Sequence, residues 1–211
     1  MSRSTGLPVA QRWDEQRFRN EAAALELVST NTTIPVPKLL SWGRDEKGLL
    51  FLETELLQRS VCCDTAGDHC RMPKLHGATT GECVDCRRIA RDNANRFIYD
   101  TVLPQLQILK HNTTGLNGFV IPSRWVTDWD QRELWSPKRS DVDEFVFCHL
   151  NLTAHNLMLD SETLEVMALI DWEDAGFFSP EFQQWRYSRE ELFDLYDDHE
   201  WIRKCISLID R

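Results

Sequence analysis

The sequence predicts an α+β fold, in which amphipathic helices accompany short antiparallel hairpins. Two pairs of strand-like runs, each pair joined by turn-forming residues, lie at 38–56 and 157–170. Apolar residues recur every three or four positions at 14–30, 89–111 and 188–211, as on a helix that packs one face against a core. The 211 residues are 42% hydrophobic and include eight tryptophans, enough for one folded domain or two small lobes.

The composition argues against two kinds of partner. The formal net charge is −10, and no run of basic residues is longer than two, as at Arg87-Arg88. Because binding to nucleic-acid phosphates needs a basic patch, nucleic acid is not an expected partner. The N-terminus lacks the apolar run of a signal peptide, and no stretch reaches the ~20 apolar residues of a membrane span. We therefore expect a cytoplasmic chain with no membrane partner.

The first third of the chain predicts a helix followed by a hairpin. The helix spans 14–30, where apolar side chains recur every three or four residues and acidic residues lie near the start. Pro35 marks its end, because proline cannot continue a helix. Runs at 38–42 and 49–56 then predict two strands, joined by turn-forming residues at 45–48.

A cysteine-rich stretch follows at 61–86, where five of the seven cysteines lie. The candidate ligands of a zinc ion in this stretch are Cys63, Cys70, His76, Cys83 and Cys86. Cys83 and Cys86 have the spacing of a zinc knuckle, and two of the other three residues could complete a tetrahedral site. Disulfides are not expected in a cytosolic chain, so the alternative to structural zinc is a set of reduced thiols.

The middle and the end of the chain are predicted to be mostly helical. The segment 89–111 predicts a core-facing helix that Pro104 kinks or restarts. The segment 113–143 is predicted to be rich in loops, and its tryptophans either pack under a long loop or line a substrate pocket. The last segment, 188–211, opens on the capping box Ser188-Arg189-Glu190-Glu191 and carries an apolar face.

A second hairpin is predicted between these helices. Strand-like runs at 157–159 and 166–170 flank turn-forming residues at 160–163. Antiparallel pairing about this turn places Asn156 beside Asp171 at the open end. An amide carbonyl and a carboxylate that converge there suit a hard cation such as Mg²⁺ bound together with a phosphate. The alternative is an ordinary exposed hairpin whose polar ends are solvated.

The residues around this hairpin form two motifs, FVFCHLNLTAHNLMLD and IDWE. Their order, with His149, Asn151 and Asn156 in the first motif and Asp171 in the second, resembles the catalytic loop and metal-binding aspartate of the protein-kinase-like fold. The closer similarity is to the aminoglycoside phosphotransferase and choline-kinase-like family. That family has the pattern H-x-D-L-x-x-x-N followed by I-D-W-E.

Family members from filamentous fungi are the most similar, since they share FVFCH before the loop and a segment like AGFFSPEF after the acidic motif. The resemblance covers roughly residues 21–187 and implies a protein-kinase-like fold of two lobes. A truncated small lobe would span 1–57. A mostly helical large lobe would span 58–211, with the cysteine-rich insertion at 61–86 and the catalytic hairpin at 145–173.

The resemblance also implies ATP and Mg²⁺ as cofactors and phosphoryl transfer to a small molecule. Asn156 and Asp171 would hold the Mg²⁺, and His149 and Asn151 would belong to the catalytic loop. Where the family has an aspartate that accepts the proton of the attacking hydroxyl, this chain has Asn151, and an amide cannot take that proton near neutral pH. Two functions therefore remain: a weak or inactive phosphotransferase, or a silent pseudokinase that acts as a binding or regulatory module.

The small lobe departs further from the family pattern. By resemblance, Glu21 takes the place of the helix glutamate that pairs with a phosphate-holding lysine, and Glu55 lies where the hinge meets the adenine. The lysine is missing. Either Arg12 supplies the cation, or Glu21 is a solvated helix residue and Arg12 part of an unordered tail.

Too few residues precede the first helix to form the family's glycine-rich loop, and Gly6 is the single glycine among them. Either the coding sequence continues upstream of Met1, or the protein works without this lid.

Overall fold

The computed structural model describes residues 12–76 and 81–209. The helices are α1 (Asp14–Asn31), α2 (Pro73–His76), α3 (Val84–Phe97), α4 (Leu103–Ile108), α5 (Arg124–Trp129), α6 (Arg189–Asp197) and α7 (His199–Ile209). The strands are β1 (Leu39–Arg44), β2 (Leu50–Thr54), β3 (Ser60–Cys62), β4 (Lys110–His111), β5 (Phe145–Cys148), β6 (Leu157–Asp160), β7 (Val166–Leu169) and β8 (Gly176–Phe178). In this part of the chain the strands form three small antiparallel sheets, so the α+β class is confirmed. Its helices are all too short or too polar to span a bilayer.

The predicted first helix and first hairpin are both present. The helix α1 buries Leu25 and Val28, and it packs on the β1–β2 hairpin. The turn between β1 and β2 is closed by Asp45, whose Oδ1 accepts hydrogen bonds from the backbone N–H groups of Lys47 at 2.9 Å and Leu49 at 2.8 Å. Both elements therefore form where the local sequence pattern predicts them.

The second hairpin, β6–β7, is present with a register one residue away from the predicted one. Leu157 pairs with Leu169, and the register shifts after Met158 at a bulge. The turn is tightened by Asp160, whose Oδ1 accepts hydrogen bonds from two backbone N–H groups at 2.9 Å each. The strand β3, from the start of the cysteine-rich insertion, adds to the outer edge of β6. The insertion therefore shares a sheet with the hairpin.

The helix predicted at 89–111 begins earlier and is interrupted. The helix α3 starts at Val84, a wide π-type turn spans Ile98–Val102, and α4 ends at Ile108. Pro104 lies just after the wide turn, as expected of a residue that has no N–H group and crowds the preceding turn. A π-type turn therefore separates α3 from α4 just before Pro104, in the region where a kink or a restart is predicted.

The last third contains more helix breaks than predicted. The short helix α5 lies within the predicted loop region 113–143. The terminal segment forms two helices, because Asp198 ends α6 and its Oδ1 then accepts a hydrogen bond from the Trp201 N–H at 2.9 Å, which starts α7. Ser188 caps α6 as predicted, with its Oγ accepting from the Glu191 N–H at 3.2 Å.

The strand β5 lies between two clusters of buried side chains. Phe145 and Phe147 belong to the cluster beneath α1, α3 and the second hairpin, whereas Val146 and Cys148 belong to the cluster beneath α5 and α7. Both faces of β5 are buried, which fixes the point at which the following loop leaves the core. The lobe boundary between 57 and 58 stays a prediction, and Gly6 lies outside the described residues.

Candidate active site

The loop after β5 is held by a buried histidine. His149 donates from Nε2 to the carbonyl of Ile170 at 3.0 Å, and its Nδ1 accepts the N–H of Asn151 at 3.3 Å. Burial lowers the pKa of His149 to about 4, so its ring is neutral at physiological pH. Because both ring nitrogens bind backbone groups, His149 joins the loop to the segment that precedes Asp171.

Three polar side chains meet where this loop reaches the open end of the second hairpin. Asn151 donates from Nδ2 to Oδ2 of Asp171 at 3.0 Å, and Asn156 donates from Nδ2 to the same oxygen at 3.3 Å. The predicted juxtaposition of Asn156 and Asp171 is therefore present despite the register difference. Leu150 and Asp171 have φ angles of 63° and 69°, a conformation that costs energy for residues other than glycine and that clusters at functional sites.

The Asn156 amide is oriented by a second hydrogen bond. Its Nδ2 also donates to the carbonyl of Asn151 at 2.8 Å, so the amide nitrogen faces Asp171. Presenting the amide oxygen to a cation beside Asp171 would require the amide to turn over and lose both hydrogen bonds. Asn156 and Asp171 thus have the oxygen atoms that a metal site needs, but in this structure they are hydrogen-bonded to each other.

The acidic motif that contains Asp171 is anchored to α1 by residues that the sequence analysis missed. Arg17, which is buried, donates from Nη1 to Glu173 at 2.9 Å and forms an ion pair with Asp174. Asn20, also buried, donates from Nδ2 to the carbonyls of Glu173 at 2.9 Å and Ala175 at 2.6 Å. Two side chains of one helix therefore fix the backbone just after Asp171.

A signal for these contacts exists in the sequence. Asn20 and Glu21 lie three and four positions after Arg17, and the same face continues with Ala24 and Val28, which are fully buried. Polar residues on the buried face of a helix need partners, because burying them without hydrogen bonds is costly. The pattern indicates a polar contact for the first turns of α1 but not its partner.

Glu21 lies beside the acidic motif, with its Oε2 atom buried and without a hydrogen-bond partner among the described residues. Burial, together with the nearby charges of Asp171 and Glu173, raises the pKa of Glu21 to about 8. Arg12 does not supply its counter-ion, since its guanidinium donates to the carbonyl of Gln131 at 2.6 Å. The alternative in which Arg12 supplies the cation for Glu21 is therefore wrong, because the 131–132 backbone binds Arg12. The alternative of a solvated Glu21 is wrong as well, since its Oε2 is buried.

Stability is expected to fall as pH rises from about 6.5 to about 8. Glu21 and Asp174 have folded-state pKa values of about 8 and about 7, both raised chiefly by burial. Unfolded carboxyl groups ionise near pH ~4, so in this range the folded state binds more protons than the unfolded state and loses stability as they leave. The opposite effect of His149 is confined to pH values below its ordinary pKa of ~6.5.

Urea unfolding at both ends of this pH range measures the change in the free energy of unfolding. Glu21→Gln should make the decrease smaller, because an amide does not titrate. Glu26→Gln on the exposed face of the same helix is the matched control and should leave it unchanged. Equal pH dependence in the two variants would contradict the assignment.

A cleft of about 230 Å³ opens above the loop. One side is α5, whose first turn is held to the loop by Ser123, which donates from Oγ to the Leu150 carbonyl at 3.2 Å. The residues that line the cleft include Arg124, Trp125, Asn151, His155, Asp171, Asp174, Leu192 and Tyr196. Of the loop tryptophans, Trp125 thus borders the cleft, whereas Trp135 is buried in the second core cluster.

A neighbouring cleft of about 390 Å³ lies between the cysteine-rich insertion and α6. It shares His155 and Leu192 with the first cleft, so the two clefts adjoin beside the loop that leads into the second hairpin. Asp64 of the insertion, Arg87 of α3 and Glu190 of α6 supply its charged lining. The two clefts together have the volume of a small-molecule site.

Glu55 lies at the end of β2, away from both clefts. Its N–H donates to the Lys38 carbonyl at 2.9 Å, and its Oε1 accepts from the Lys38 N–H at 3.0 Å. Leu56 next to it is 83% exposed, so this segment presents an uncovered surface. Adenine contact at Glu55 stays a prediction.

Four of the five candidate zinc ligands come together. Cys70, His76, Cys83 and Cys86 have ligand atoms that all lie within 4.8 Å of one another. Cys63 is apart from them, because its thiol is buried against the Ala90 carbonyl at 3.8 Å. Burial raises the pKa of Cys63 to about 12, so it remains a thiol.

Comparison with known proteins gives a family. Residues 7–182, well over half of the chain, match the sequence model of the phosphotransferase enzyme family, APH. No curated protein gives a significant sequence match.

Solved structures of similar proteins include one from Ralstonia eutropha that is assigned as an aminoglycoside phosphotransferase. It is 16% identical with a TM-score of 0.46, and the match covers 91% of this chain and 65% of that protein. A type VIII aminoglycoside-3'-phosphotransferase is 19% identical with a TM-score of 0.44, over 91% of this chain and 79% of that one. The GDP complex of aminoglycoside 2'-phosphotransferase-IIIa is 12% identical with a TM-score of 0.32, over 96% and 74%.

This chain thus spans less than two thirds of the Ralstonia protein. Structural similarity at this level says nothing about activity. The family is assigned from the sequence match over residues 7–182, and the α+β architecture sets the two motifs side by side. The chain belongs to the phosphotransferase enzyme family, APH, and has an α+β, kinase-like fold.

Proposed function

We propose that this chain binds ATP with Mg²⁺ at the Asp171 end of the catalytic hairpin and transfers phosphate weakly to a small molecule. The observation that carries the proposal is that the amide nitrogens of Asn151 and Asn156 both lie within 3.3 Å of Oδ2 of Asp171. Asn151 and Asp171 also line the first cleft. Family membership supplies the reaction class, and this cluster supplies a place for it.

The donor set fits Mg²⁺. Asp171 and Asn156 would hold the ion, because hard cations prefer carboxylate and carbonyl oxygens. Glu21 adds a second reason: its buried Oε2 has no hydrogen-bond partner in the described ranges, and it lies among like charges that a cation would relieve. Mg²⁺ bound there would neutralise charge on the transferred phosphate.

The loop residues have different roles in this proposal. His149 is a positioning residue, since it is buried and both ring nitrogens hold backbone groups. Asn151 would orient the attacking hydroxyl through its amide oxygen but would not accept its proton. Phosphoryl transfer depends mostly on positioning and charge neutralisation, so losing a general base weakens the reaction by ~10²–10⁴-fold without abolishing it.

The acceptor would enter through the adjoining cleft between the insertion and α6. Asp64 and Glu190 line it, which favours a polar acceptor with cationic groups, and Arg87 makes the lining mixed in charge. His155 borders both clefts and would lie between acceptor and nucleotide phosphates. The identity of the acceptor does not follow from these contacts.

A silent pseudokinase is the second candidate, and Glu21 favours it. The family pattern pairs this glutamate with a lysine that holds phosphates, whereas here the pKa of Glu21 is about 8 and the carboxyl is largely protonated at neutral pH. A neutral Glu21 holds no lysine, and Asn151 is no base. Such a protein would bind nucleotide and act as a binding or regulatory module.

Thermal unfolding with and without Mg²⁺ and ATP tests both candidates. Wild type should be stabilised, by ~2.7 kcal/mol when the ligand concentration is 100 times its Kd, and Asp171→Ala should lose this stabilisation because a metal-binding carboxylate is removed. Asp92→Ala, an exposed aspartate of α3, is the control and should respond like wild type.

Release of ADP in the same samples separates the two functions. Slow turnover that Asp171→Ala abolishes supports weak transfer, and stabilisation with no turnover supports the pseudokinase. Equal stabilisation of wild type and Asp171→Ala would show that nucleotide and metal do not bind at Asp171.

A further inference from the structure

The cysteine-rich insertion folds back on itself to form a closed set of four side chains. Nδ1 of His76 lies 3.6 Å from the sulfur of Cys83, 3.6 Å from that of Cys86 and 3.9 Å from that of Cys70. A zinc ion bound tetrahedrally at ~2.3 Å from sulfur and ~2.0–2.1 Å from nitrogen holds those atoms roughly 3.6 Å apart. We propose that Cys70, His76, Cys83 and Cys86 bind one structural zinc ion.

The donor types select the metal. Three sulfurs and one imidazole nitrogen are a Cys₃His set, which suits Zn²⁺ and not the oxygen-seeking Mg²⁺ of the catalytic hairpin. All four positions are supplied by the chain, so no place remains for water or substrate and the site is structural and not catalytic.

Backbone hydrogen bonds support the sulfurs in the manner of a metal knuckle. The N–H of Cys86 donates to the sulfur of Cys83 at 3.5 Å, and the N–H of Arg71 donates to the sulfur of Cys86 at 3.3 Å. Such contacts fix the orientation of metal-bound groups and stabilise charge on thiolate ligands. Cys83 also caps the N-terminus of α3, so the site lies at the start of a fourteen-residue helix.

Glycine permits the fold of the insertion. A Cβ atom on Gly67 would lie 2.6 Å from the Cβ of Arg87, so only glycine allows this approach of the insertion to α3. The Gly67 carbonyl accepts the N–H of Cys83 at 2.8 Å, which holds the knuckle against the rest of the insertion.

The other two cysteines of the insertion are used elsewhere. The thiol of Cys62 donates to the carbonyl of His155 at 2.8 Å, and that of Cys63 faces the Ala90 carbonyl. Cys62 therefore joins the insertion to the catalytic loop, while the four proposed ligands hold the insertion on α3. Asp64, between these two attachments, lines the cleft shared with α6. Zinc would thus order one wall of that cleft.

Metal analysis of the full chain, purified without chelator, tests the proposal. About one zinc ion per chain is expected, since structural zinc sites bind tightly, and less than about a tenth would overturn it. Replacement of zinc by Co²⁺ should give the visible absorption of a tetrahedral site and the near-ultraviolet thiolate bands. Octahedral Co²⁺ absorption without thiolate bands would overturn it as well.

Matched variants identify the ligands. Cys70→Ser and His76→Ala should lose most of the zinc, whereas Cys62→Ser and His69→Ala, changes of the same kind outside the cluster, should keep it. His76→Cys provides a positive test, because a Cys₄ site should retain zinc and strengthen the thiolate bands of the Co²⁺ form. Equal loss of zinc from ligand and control variants would contradict the assignment.

The oxidation state of the cysteines is the remaining check. Thiol counting before and after zinc release by a chelator should reveal additional thiols only after release. A Cys83–Cys86 disulfide in the purified chain, or four freely reactive thiols with no bound metal, would refute the zinc site. The Co²⁺ spectrum of wild type decides the question even if a variant fails to fold.

Discussion

Replacing Arg17 by methionine is expected to lower the free energy of unfolding by about 3–5 kcal/mol at neutral pH. Arg17 is 6% exposed and pairs with both Glu173 and Asp174, and methionine keeps the packing of its alkyl stem but removes the charge. Glu173 keeps a second partner in Arg124, but the buried Asp174 loses its ion-pair partner, and that loss costs more than the ion pair itself contributes.

The loss should be larger at pH 8 than at pH 5.5. Burial raises the pKa of Asp174 to about 7 even with Arg17 present, so without Arg17 this carboxyl must stay protonated in the folded state. Keeping a proton that the unfolded chain releases costs more as pH rises. Urea unfolding at the two pH values measures the difference.

Two further variants make the test specific. Arg19→Met removes an exposed arginine of the same helix that pairs with Glu15, and it should cost far less because water screens that pair. Adding Asp174→Asn to Arg17→Met should recover part of the loss, because an amide needs neither a counter-charge nor the proton that the Asp174 carboxyl must retain. Comparable destabilisation by Arg17→Met and Arg19→Met would contradict the anchoring role of Arg17.

Replacing Asn151 by aspartate is expected to destabilise the metal-free protein by about 1–3 kcal/mol at pH 8. The amide nitrogen that donates to Asp171 at 3.0 Å becomes a carboxylate oxygen, so a hydrogen bond turns into a repulsion between two acids. The destabilisation should shrink near pH 5, where the pair can share a proton. Mg²⁺ should stabilise this variant more than wild type, since a second carboxylate joins the cation site.

The same variant addresses catalysis. A positioned general base contributes ~10²–10⁴-fold, but Glu21 pairs with no lysine or arginine within the described residues, so the phosphates lack the cation that the family pattern supplies. We therefore expect ATP hydrolysis to rise by less than ~10²-fold. Initial rates of ADP formation, with Asn112→Asp as the surface control, measure the gain. A rise of ~10³-fold would show that Asn151 alone limits the reaction.

Much of the catalytic hairpin could be predicted from the sequence, because its determinants are local. Asp160 closes the turn and the apolar runs of β6 and β7 set the strands, so Asn156 and Asp171 meet at the open end. The register was predicted one residue off because the bulge after Met158 depends on side chains packed around the hairpin. The knuckle formed by Cys83 and Cys86 could also be predicted, because it depends only on the spacing of two nearby cysteines.

The family motifs, the first helix, both hairpins and the candidate metal ligands can be predicted from the chain's residues, since each depends on spacing within a few positions. Which side chains meet across the chain depends on the tertiary structure. Arg17 and Asp174 are 157 positions apart, and Glu21 lacks the cation expected of it because Arg12 binds backbone near residue 131. The Cys70 thiol lies beside His76, Cys83 and Cys86, whereas the Cys63 thiol is buried in the core against the Ala90 carbonyl of α3. Such choices depend on burial and on chain reversals that no local spacing encodes.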